Sequence, residues 1–265
     1  MPDPKEDIAG RLARSLGPVT DLRSLGGTCW RLRSGRGDLV AKLGPGGGDE
    51  AVGLGRLAGV PGAPPVPTVV MAEPDLLVTA WVESGPRTTG HELALGRMLA
   101  TLHSRSWPEW GGGSAWIGRC RVDPAPSTDG VSFYGARLLE LARRCGLEVP
   151  VAGVVDRLDR LLPPGGPVLV HGDLWWGNVL WGADGRPWLI DPSVHGGHPE
   201  EDLAMLELFG TVPDRVRDGY REILAPDPGW RERLPLFQLG PLLVHTVLFG
   251  GGYRGQVESA LRRLR

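Results

Sequence analysis

One segment of this chain combines imidazole, carboxylate and amide side chains at fixed intervals. In His171-Gly-Asp-Leu-Trp-Trp-Gly-Asn178, Asp173 precedes Asn178 by five residues, and Asp191 follows in Trp-Leu-Ile-Asp-Pro. Between Asn178 and Asp191, two short apolar runs flank the turn sequence Gly182-Ala-Asp-Gly185. That pattern is typical of a β-hairpin, which would bring Asn178 and Asp191 together.

The interval matches the pattern H-x-D-x-x-x-x-N, in which the Asp accepts the proton of an attacking hydroxyl during phosphoryl transfer. The Asn and a later Asp then bind the magnesium ions that bridge the nucleotide phosphates. We therefore predict Asp173 as the catalytic base and Asn178 with Asp191 as ligands of Mg²⁺. The structural alternative treats all of them as turn formers, which explains each residue singly but not their joint spacing.

The basic residues supply a second feature. Of 29 lysines and arginines only Lys5 and Lys42 are lysines. Lys5 falls in what we predict to be a polar N-terminal tail, whereas Lys42 ends the strand-like run Asp38-Leu-Val-Ala-Lys42. Since arginine serves nearly every other basic role, Lys42 indicates a need for a compact ammonium group. The alternative is an ordinary residue at a strand edge.

Two neighbouring features would complete a phosphate-binding site around Lys42. Glu50, on the helix predicted after Lys42, would orient the lysine toward the α- and β-phosphates, unless it is only an exposed acid in a first turn. Gly26 and Gly27 lie between the first two strands, where glycines let backbone N–H groups approach phosphates. A plain turn is the alternative for this glycine pair.

The pattern along the chain predicts two lobes. Residues 19–82 read as an antiparallel β region with one helix, Asp49–Leu57, for which Asp49 is the expected N-cap. The predicted strands are Val19–Leu25, Cys29–Arg33, Leu39–Leu43, Pro67–Ala72 and Leu76–Val82. The predicted later helices are Thr88–Ser104, Val131–Arg144, Val151–Leu162, Glu200–Phe209, Asp214–Leu224, Leu234–Leu248 and Gln256–Leu264. Between them Trp107–Gly130 is rich in glycine and proline and reads as an irregular loop.

We therefore predict an α+β, two-lobed, protein-kinase-like fold with a small antiparallel β lobe and a larger, mainly helical lobe. Residues 1–83 would form the nucleotide-binding lobe and residues 84–265 the catalytic and substrate lobe, with a hinge at 79–84. A nucleotide is expected in the cleft between them.

Composition excludes several classes of protein. A net charge of −2 and a pI near 6.3 disfavour binding to nucleic acid or to a membrane surface. Neither an apolar run of about 20 residues nor a signal peptide is recognisable. Three cysteines without metal-site spacing suit a reducing compartment, so we expect a cytoplasmic protein, and we expect a monomer.

In the segments that contain the polar residues described above, the chain resembles the fructosamine kinase (ketosamine-3-kinase) family, within the aminoglycoside-phosphotransferase-like kinases. The block from His171 to Asn178 is shared with all such kinases. The ketosamine branch is indicated by Gly197-His-Pro-Glu-Glu-Asp-Leu-Ala-Met205 and Phe249-Gly-Gly-Gly-Tyr253. Further matching segments are Leu-Val-Ala-Lys42, Glu50-Ala-Val-Gly-Leu54, Leu77-Val-Thr-Ala-Trp-Val-Glu83, Leu99-Ala-Thr-Leu-His103, Trp116-Ile-Gly118 and Ile190-Asp-Pro192.

The resemblance implies a kinase that uses ATP and Mg²⁺ to phosphorylate the 3-hydroxyl of ketosamines such as fructosamines and ribulosamines. The resulting 3-phosphate releases the free amine, which repairs glycation. The resemblance assigns adenine to the backbone of Ala80 and Val82. Trp175 and Trp176 could each stack on a substrate ring or pack under the loop, and we expect one of them to do each. His198 and Glu200 are further candidates for substrate contact, with a structural role as the alternative for His198. The acceptor would be a small glycated amine or a glycated lysine of a protein.

The sequence departs from the family pattern mainly on the expected substrate side. The family usually has Ser where Trp176 stands, Asn-Tyr where Ala115-Trp116 stands, and Arg where Pro199 stands. Two alternative functions follow, namely a kinase of aminoglycosides or other amino-alcohols and a non-catalytic nucleotide-binding relative. A metal-dependent hydrolase is a third, for which the sequence lacks a cluster of additional ligands.

Overall fold

The first part of the chain forms an antiparallel sheet. In the computed structural model, which describes residues 4–122 and 125–265 and side chains from Ile8 onward, this sheet has five strands. They are β1 (Thr20–Gly26), β2 (Cys29–Ser34), β3 (Gly37–Leu43), β4 (Val69–Glu73) and β5 (Leu76–Ala80), in the spatial order β1-β2-β3-β5-β4. The five predicted strands are confirmed, with ends that differ by a few residues.

Strand β3 separates a packed face of the sheet from an open one. Leu39 and Ala41 are buried in an apolar cluster. Val40 and Lys42 alternate with them, so they face the other side of the sheet, where both line a cavity. The alternation thus directs the ammonium group of Lys42 into the cleft while its neighbours hold the strand in place.

Helix α1 (Pro4–Leu16) covers the packed face and corrects the prediction of a polar tail around Lys5. Its apolar residues Ile8, Leu12 and Leu16 are spaced by four, lie on one side of the helix and are buried against the sheet. The polar residues between them outnumber this stripe, which is why the segment reads as a tail in the sequence.

Helix α2 (Gly47–Ala58) follows β3 and begins differently from the prediction. Gly46, with φ of 88° and no side chain to cap a helix, occupies the N-cap position. Asp49 as N-cap is therefore wrong, because it lies in the first turn. Its Oδ2 instead accepts a hydrogen bond from the backbone N–H of Ala115 at 3.2 Å. Asp49 thus looks like a local helix cap in the sequence, whereas in the structure it makes a contact between distant segments.

The rest of the described chain is mainly helical, with three short antiparallel strand pairs, β6–β7, β8–β11 and β9–β10. In chain order the elements are α3 (Thr89–His103), β6 (Trp116–Ile117), β7 (Cys120–Arg121), α4 (Gly130–Cys145), α5 (Glu148–Val155), α6 (Leu158–Leu161), β8 (Val168–Val170), β9 (Val179–Trp181), β10 (Pro187–Leu189), β11 (His195–Gly197), α7 (Glu200–Leu208), α8 (Asp214–Arg221), α9 (Leu234–Phe249) and α10 (Arg254–Arg263).

Two predictions for this part of the chain need correction. The helix predicted at Val151–Leu162 is divided into α5 and α6, because the helix ends at Val155 and restarts at Leu158. The loop predicted at Trp107–Gly130 contains the β6–β7 hairpin. Residues 123 and 124 of that loop lie outside the described residues.

The two lobes share an apolar core. Leu54 and Leu57 of α2 pack in the same cluster as Leu95 and Leu99 of α3 and Leu174 beside the polar motif. The boundary that we predict after Glu83 therefore marks a change of secondary structure, while the packing continues across it. Helix α2, which carries Glu50, is held by residues of both lobes.

Helices α3 and α8 approach each other closely enough to exclude side chains at their contact. A Cβ on Gly96 would lie 2.0 Å from the carbonyl oxygen of Val216, and a Cβ on Gly219 would lie 2.2 Å from that of Leu93. Both contacts are with backbone, which cannot rotate away as a side chain could. The close packing of these helices therefore depends on glycine at both positions.

We expect the substitution Gly96→Ala to lower the free energy of unfolding by about 2 to 3 kcal/mol, because α3 and α8 must move apart. Chemical denaturation measures this change. Gly153→Ala in α5 is the matched control, since a Cβ there meets no heavy atom within 4 Å. In the control the helix propensity of alanine should be neutral or add about 0.5 to 1 kcal/mol. Equal effects of the two substitutions would contradict the close-contact interpretation.

Candidate active site

The motif and Asp191 meet through the predicted hairpin. After β8 the segment His171–Asn178 ends in a single 3₁₀ turn, and β9 and β10 then pair antiparallel. The backbone N–H of Ile190 donates a hydrogen bond to the carbonyl of Asn178 at 3.1 Å. Asp191 thus returns to the side of Asn178, and both residues line one cavity together with Asp173.

A buried carboxylate holds the start of the motif. Asp202 of α7 accepts hydrogen bonds from the backbone N–H groups of His171 at 2.8 Å and Gly172 at 2.9 Å. His103 Nε2 lies 3.0 Å from Asp202 Oδ2, the same oxygen that binds His171. Burial would raise the pKa of Asp202, but these donors outweigh it and hold the pKa below its usual range. No role for Asp202 followed from the sequence, although it lies within the Glu-Glu-Asp-Leu-Ala-Met segment.

His171 connects the motif to the segment that precedes Asp191. Its Nδ1 accepts the backbone N–H of Asp173 at 3.3 Å, so Nε2 carries the proton and donates it to the carbonyl of Ile190 at 3.0 Å. Burial lowers the pKa of His171, which favours this neutral form. The imidazole therefore fixes the distance between the two halves of the site.

Asn178 is oriented by Asp173. The side-chain Nδ2 of Asn178 donates to the backbone carbonyl of Asp173 at 2.8 Å. Its Oδ1 accepts no hydrogen bond from the described residues, and the side chain lines the same cavity as both carboxylates. An amide oxygen held in this way is a suitable ligand for a hard cation.

Lys42 joins three separate elements. Its Nζ lies 2.7 Å from Oε2 of Glu50 on α2 and 3.0 Å from Oδ1 of Asp191. Asp191 has φ of 54°, a left-handed conformation that costs free energy for a residue with a side chain. Contacts elsewhere in the folded protein must compensate for this strained backbone. In this conformation the Asp191 carboxylate points to the ammonium group of Lys42.

The carboxylates around Lys42 exceed its positive charge. Glu50, Asp173 and Asp191 line one cavity with this single ammonium group. Burial, followed by the charge of Asp191, raises the pKa of Asp173 to about 7. Burial also raises the pKa of Glu50, although Lys42 opposes the shift. A divalent cation would relieve the excess negative charge, so the donor set fits Mg²⁺ in chemistry and charge.

Three adjoining cavities meet at Lys42, Glu50 and Asp191. The first, of about 280 Å³, has a largely apolar lining that includes Val40, Ala80 and Val82. The backbone N–H of Val82 donates no hydrogen bond within the described residues and is available to a ligand. The second cavity reaches Gly27, next to Gly26 at the end of β1, and the third reaches Asp173. The structure thus gathers the residues that we predicted for nucleotide and metal around one cleft.

The loop after α3, whose sequence is long and irregular enough for a binding loop, crosses this cleft. Ser193 Oγ donates to the carbonyl of Trp116 at 2.9 Å, and Ala115 is bound to Asp49 of α2 as described above. A Cβ on Gly113 would lie 1.8 Å from the carbonyl oxygen of Val194. The loop is therefore pressed onto both α2 and the segment after Asp191, and it carries the β6–β7 hairpin to the edge of the cleft.

The two tryptophans of the motif lie in different environments. Trp175 is 41% exposed and lines the cavity of Asp173. Trp176 stacks on Trp181 with ring centroids 6.3 Å apart, and the guanidinium of Arg87 lies 5.1 Å from its ring. Trp176 lines none of the three cavities. The structure thus places Trp175, but not Trp176, where it can touch a substrate.

His198 and Glu200 are not brought to the cleft either. Both are buried, and neither lines the three cavities around Lys42. Glu200 accepts from Arg233 Nε at 2.9 Å, and its backbone N–H donates to His198 Nδ1 at 3.2 Å. The His198 ring stacks on Phe237 with centroids 5.3 Å apart. These contacts give both residues a structural role in attaching α7 to α9.

Known proteins resemble this chain over most of its length. A family model for fructosamine kinase matches residues 50–265. A probable ketoamine kinase of Synechocystis sp. is 36% identical over 202 residues, which are 71% of this chain and 66% of that relative. The crystal structure of a "putative fructosamine-3-kinase" of Thermobifida fusca is 36% identical, with a TM-score of 0.87 over 97% of this chain and 98% of that one.

This chain belongs to the fructosamine kinase family. Membership confirms the resemblance inferred from the sequence. The predicted two-lobed kinase-like fold is confirmed too, because choline kinase LicA of Streptococcus pneumoniae shares it with a TM-score of 0.66 at 16% identity over 98% of each chain. No helix among the described residues is long and apolar enough to cross a membrane.

We expect Asp202→Asn to lower both kcat and the free energy of unfolding. An amide offers one acceptor and sets an N–H₂ against donors of His171, Gly172 or His103, which costs about 2 to 4 kcal/mol of stability. Steady-state kinetics and chemical denaturation measure the two effects. Asp214→Asn is the control, because the Asp214 side chain is exposed and Arg217 is its hydrogen-bond partner among the described residues. This variant should change both quantities little. Full activity and stability of Asp202→Asn would contradict the role given to this carboxylate.

His198 should make folding weaken in acid. Burial lowers its pKa to about 4 from 6.5. Between these values the unfolded chain binds a proton that the folded protein does not, so stability falls as the pH is lowered through this window. The loss is up to about 3 kcal/mol. The variant His198→Asn retains an acceptor for the Glu200 N–H and lacks this proton uptake.

Urea denaturation at pH 7.5 and pH 4.5 tests the effect. The unmodified protein should lose more unfolding free energy between the two values than the variant does. If both proteins lost the same unfolding free energy, the pKa of His198 in the folded protein would not be lowered, and the prediction would be wrong.

Proposed function

We propose that this chain is an ATP-dependent kinase that phosphorylates the 3-hydroxyl of ketosamines. The observation that carries the proposal is the meeting of Lys42, Asp173, Asn178 and Asp191 at adjoining cavities between the sheet and the helical lobe. Membership of the fructosamine kinase family supports the choice of acceptor. It also agrees with the sequence prediction of a phosphotransferase acting on a small molecule.

The nucleotide would lie in the apolar cavity beneath the sheet. The backbone of Ala80 and Val82, which line this cavity, would receive the adenine edge. The N–H of Val82, which donates no hydrogen bond to any described residue, supports this role. Lys42, held by Glu50, would bind the α- and β-phosphates. Gly26 and Gly27 would let the β1–β2 turn approach these phosphates closely.

Phosphoryl transfer would take place at the Asp173 end of the cleft. Asn178 Oδ1 and the Asp191 carboxylate would hold Mg²⁺, which when bound would supply positive charge to offset that of the phosphates. The sugar hydroxyl forms a new P–O bond as the bond between the γ-phosphorus and ADP breaks. Asp173 accepts the proton of that hydroxyl and so prevents charge from building up on the attacking oxygen.

The product explains the biological sense of the reaction. A ketosamine 3-phosphate breaks down and releases the free amine, so the enzyme would reverse glycation. A free ketosamine or a glycated lysine of a protein would be the acceptor of this chemistry. A monomer suffices for it, because one chain supplies every residue of the proposed site.

We expect Asp173→Asn to lower kcat by at least about 100-fold, since the general base is lost, while ATP binding remains. ADP release with a ribulosamine or fructosamine, ATP and Mg²⁺ measures turnover, and calorimetry measures nucleotide binding. Asp184→Asn is a matched control, because Asp184 lies at the tip of the β9–β10 hairpin and bonds to Arg186 and Trp188 there. Its turnover should be unchanged.

Three outcomes would contradict the proposal at different levels. Full turnover in Asp173→Asn would contradict the base. Turnover of an aminoglycoside or a simple amino-alcohol, with no ketosamine accepted, would transfer the proposal to that acceptor class. Nucleotide binding without turnover of any alcohol would identify a non-catalytic relative.

A further inference from the structure

An aromatic surface extends from the proposed base along the helical lobe. We call it the aromatic wall, and its members are Trp175, Phe209, His245, Phe249 and Tyr253. Their rings touch in sequence, with centroids 6.3 Å apart for Trp175 and Phe209, 5.0 Å for Phe209 and His245, and 5.6 Å for His245 and Phe249. Tyr253 completes the wall at 4.9 Å from His245.

The two ends of the wall are open to solvent. Trp175 is 41% and Phe249 62% exposed, and no other aromatic side chain in the described chain is so open. Exposed aromatic rings in contact with one another commonly mark a binding surface. Trp175 lines the cavity that contains Asp173, while Phe249 lines the adjoining one. The wall is therefore continuous with the proposed site.

A cation lies at the same cavity as Phe249. Arg119, in the turn of the β6–β7 hairpin, is exposed and has no ion-pair partner among the residues that the structure describes. Three carboxylates line the two cavities, and they are the ones that surround Lys42 and are assigned to catalysis and metal binding, namely Glu50, Asp173 and Asp191. As far as the described residues show, the outer part of the acceptor site thus offers aromatic rings and one guanidinium, and no carboxylate beyond these three.

The chemistry of a ketosamine indicates what lies on this surface. Its amine is attached to C1, so it lies only about 5 Å from the 3-hydroxyl that must reach Asp173. The substituent on the amine would then extend out of the cavity that contains Asp173, past Trp175. Among the described residues that line the two cavities, a polycationic amino sugar would find no carboxylate besides the three around Lys42, whereas an apolar ring would bury the exposed faces of the wall.

We propose that the preferred acceptor is a ketosamine formed on the α-amino group of an aromatic amino acid. The amino-acid ring lies on the aromatic wall, and its carboxylate pairs with Arg119, whose planar guanidinium suits that geometry. This proposal rests on the proposed function and narrows its substrate class. It makes Phe249 and Arg119 determinants of specificity that take no part in the transfer itself.

Four matched acceptors test the proposal. They are the ribulosamines of phenylalanine, phenethylamine, alanine and ethylamine, which vary the ring and the carboxylate independently. For the unmodified protein kcat/KM should be highest with the phenylalanine adduct. Each missing group should lower it on the order of tenfold, which corresponds to about 1.4 kcal/mol.

Two variants separate the contributions. Phe249→Ala should lower kcat/KM about tenfold for the two ring-bearing acceptors alone. Arg119→Gln should do so for the two carboxylate-bearing acceptors alone. Both side chains are exposed, so we expect both variants to fold. Because both residues line the second cavity together with Gly27, the KM for ATP is measured as well. An unchanged KM for ATP is the expected result, whereas a raised one would place the residue at the phosphates and contradict the proposal. Val149→Ala, an 86% exposed apolar residue of α5, is the control and should not alter any of the four values.

Each contrary result has a distinct meaning. Equal kcat/KM for all four acceptors would overturn the proposal while leaving the ketosamine kinase intact. A uniform loss in Arg119→Gln across all acceptors would place this guanidinium at the phosphates and overturn the carboxylate pairing. Absence of turnover with every ketosamine, beside activity on another alcohol, would instead overturn the proposed function.

Discussion

The active-site geometry depends on one buried carboxylate. Asp202 accepts the backbone N–H groups of His171 and Gly172, so it fixes the turn that precedes Asp173. Gly172 has φ of 79°, and a Cβ there would lie 2.1 Å from the carbonyl of Ser193. The turn therefore needs both a residue without a side chain and a buried acceptor. A charge in an apolar core is costly, and here three N–H donors offset the cost.

The second constraint is the position of Lys42. The lysine reaches Glu50 and Asp191 at once because the shared apolar core fixes α2 against both lobes. The loop through Ala115 and Trp116 adds polar contacts to both sides of the same junction. The ion pair is consequently formed in the protein as folded, and its orientation follows from packing. Binding energy from a nucleotide is then not needed to assemble it.

The sequence predicted those features that local patterns encode. Strands β1–β5, the β9–β10 hairpin and the meeting of Asn178 with Asp191 follow from alternation, turn residues and spacing. Contacts between distant segments were invisible for the same reason: Asp49 reads as a cap, yet it binds Ala115, 66 residues away. The role of Asp202 likewise depends on a contact across 31 residues. Helix α1 was missed because its apolar stripe has only three residues.

The adjacent residues Trp175 and Trp176 show that a sequence pattern alone does not predict which of two identical side chains faces the cleft. Both are indole side chains within one motif, so composition and spacing treat them alike. The 3₁₀ turn that begins at Trp176 directs that ring under Arg87 and onto Trp181, while Trp175 lies over Gly177 at the cleft. The phosphate half of the site is constrained by charge, which few residues can satisfy. Its acceptor half is constrained by shape and aromatic contact, which many side chains can satisfy, and so the specificity of this chain has to be sought in that half.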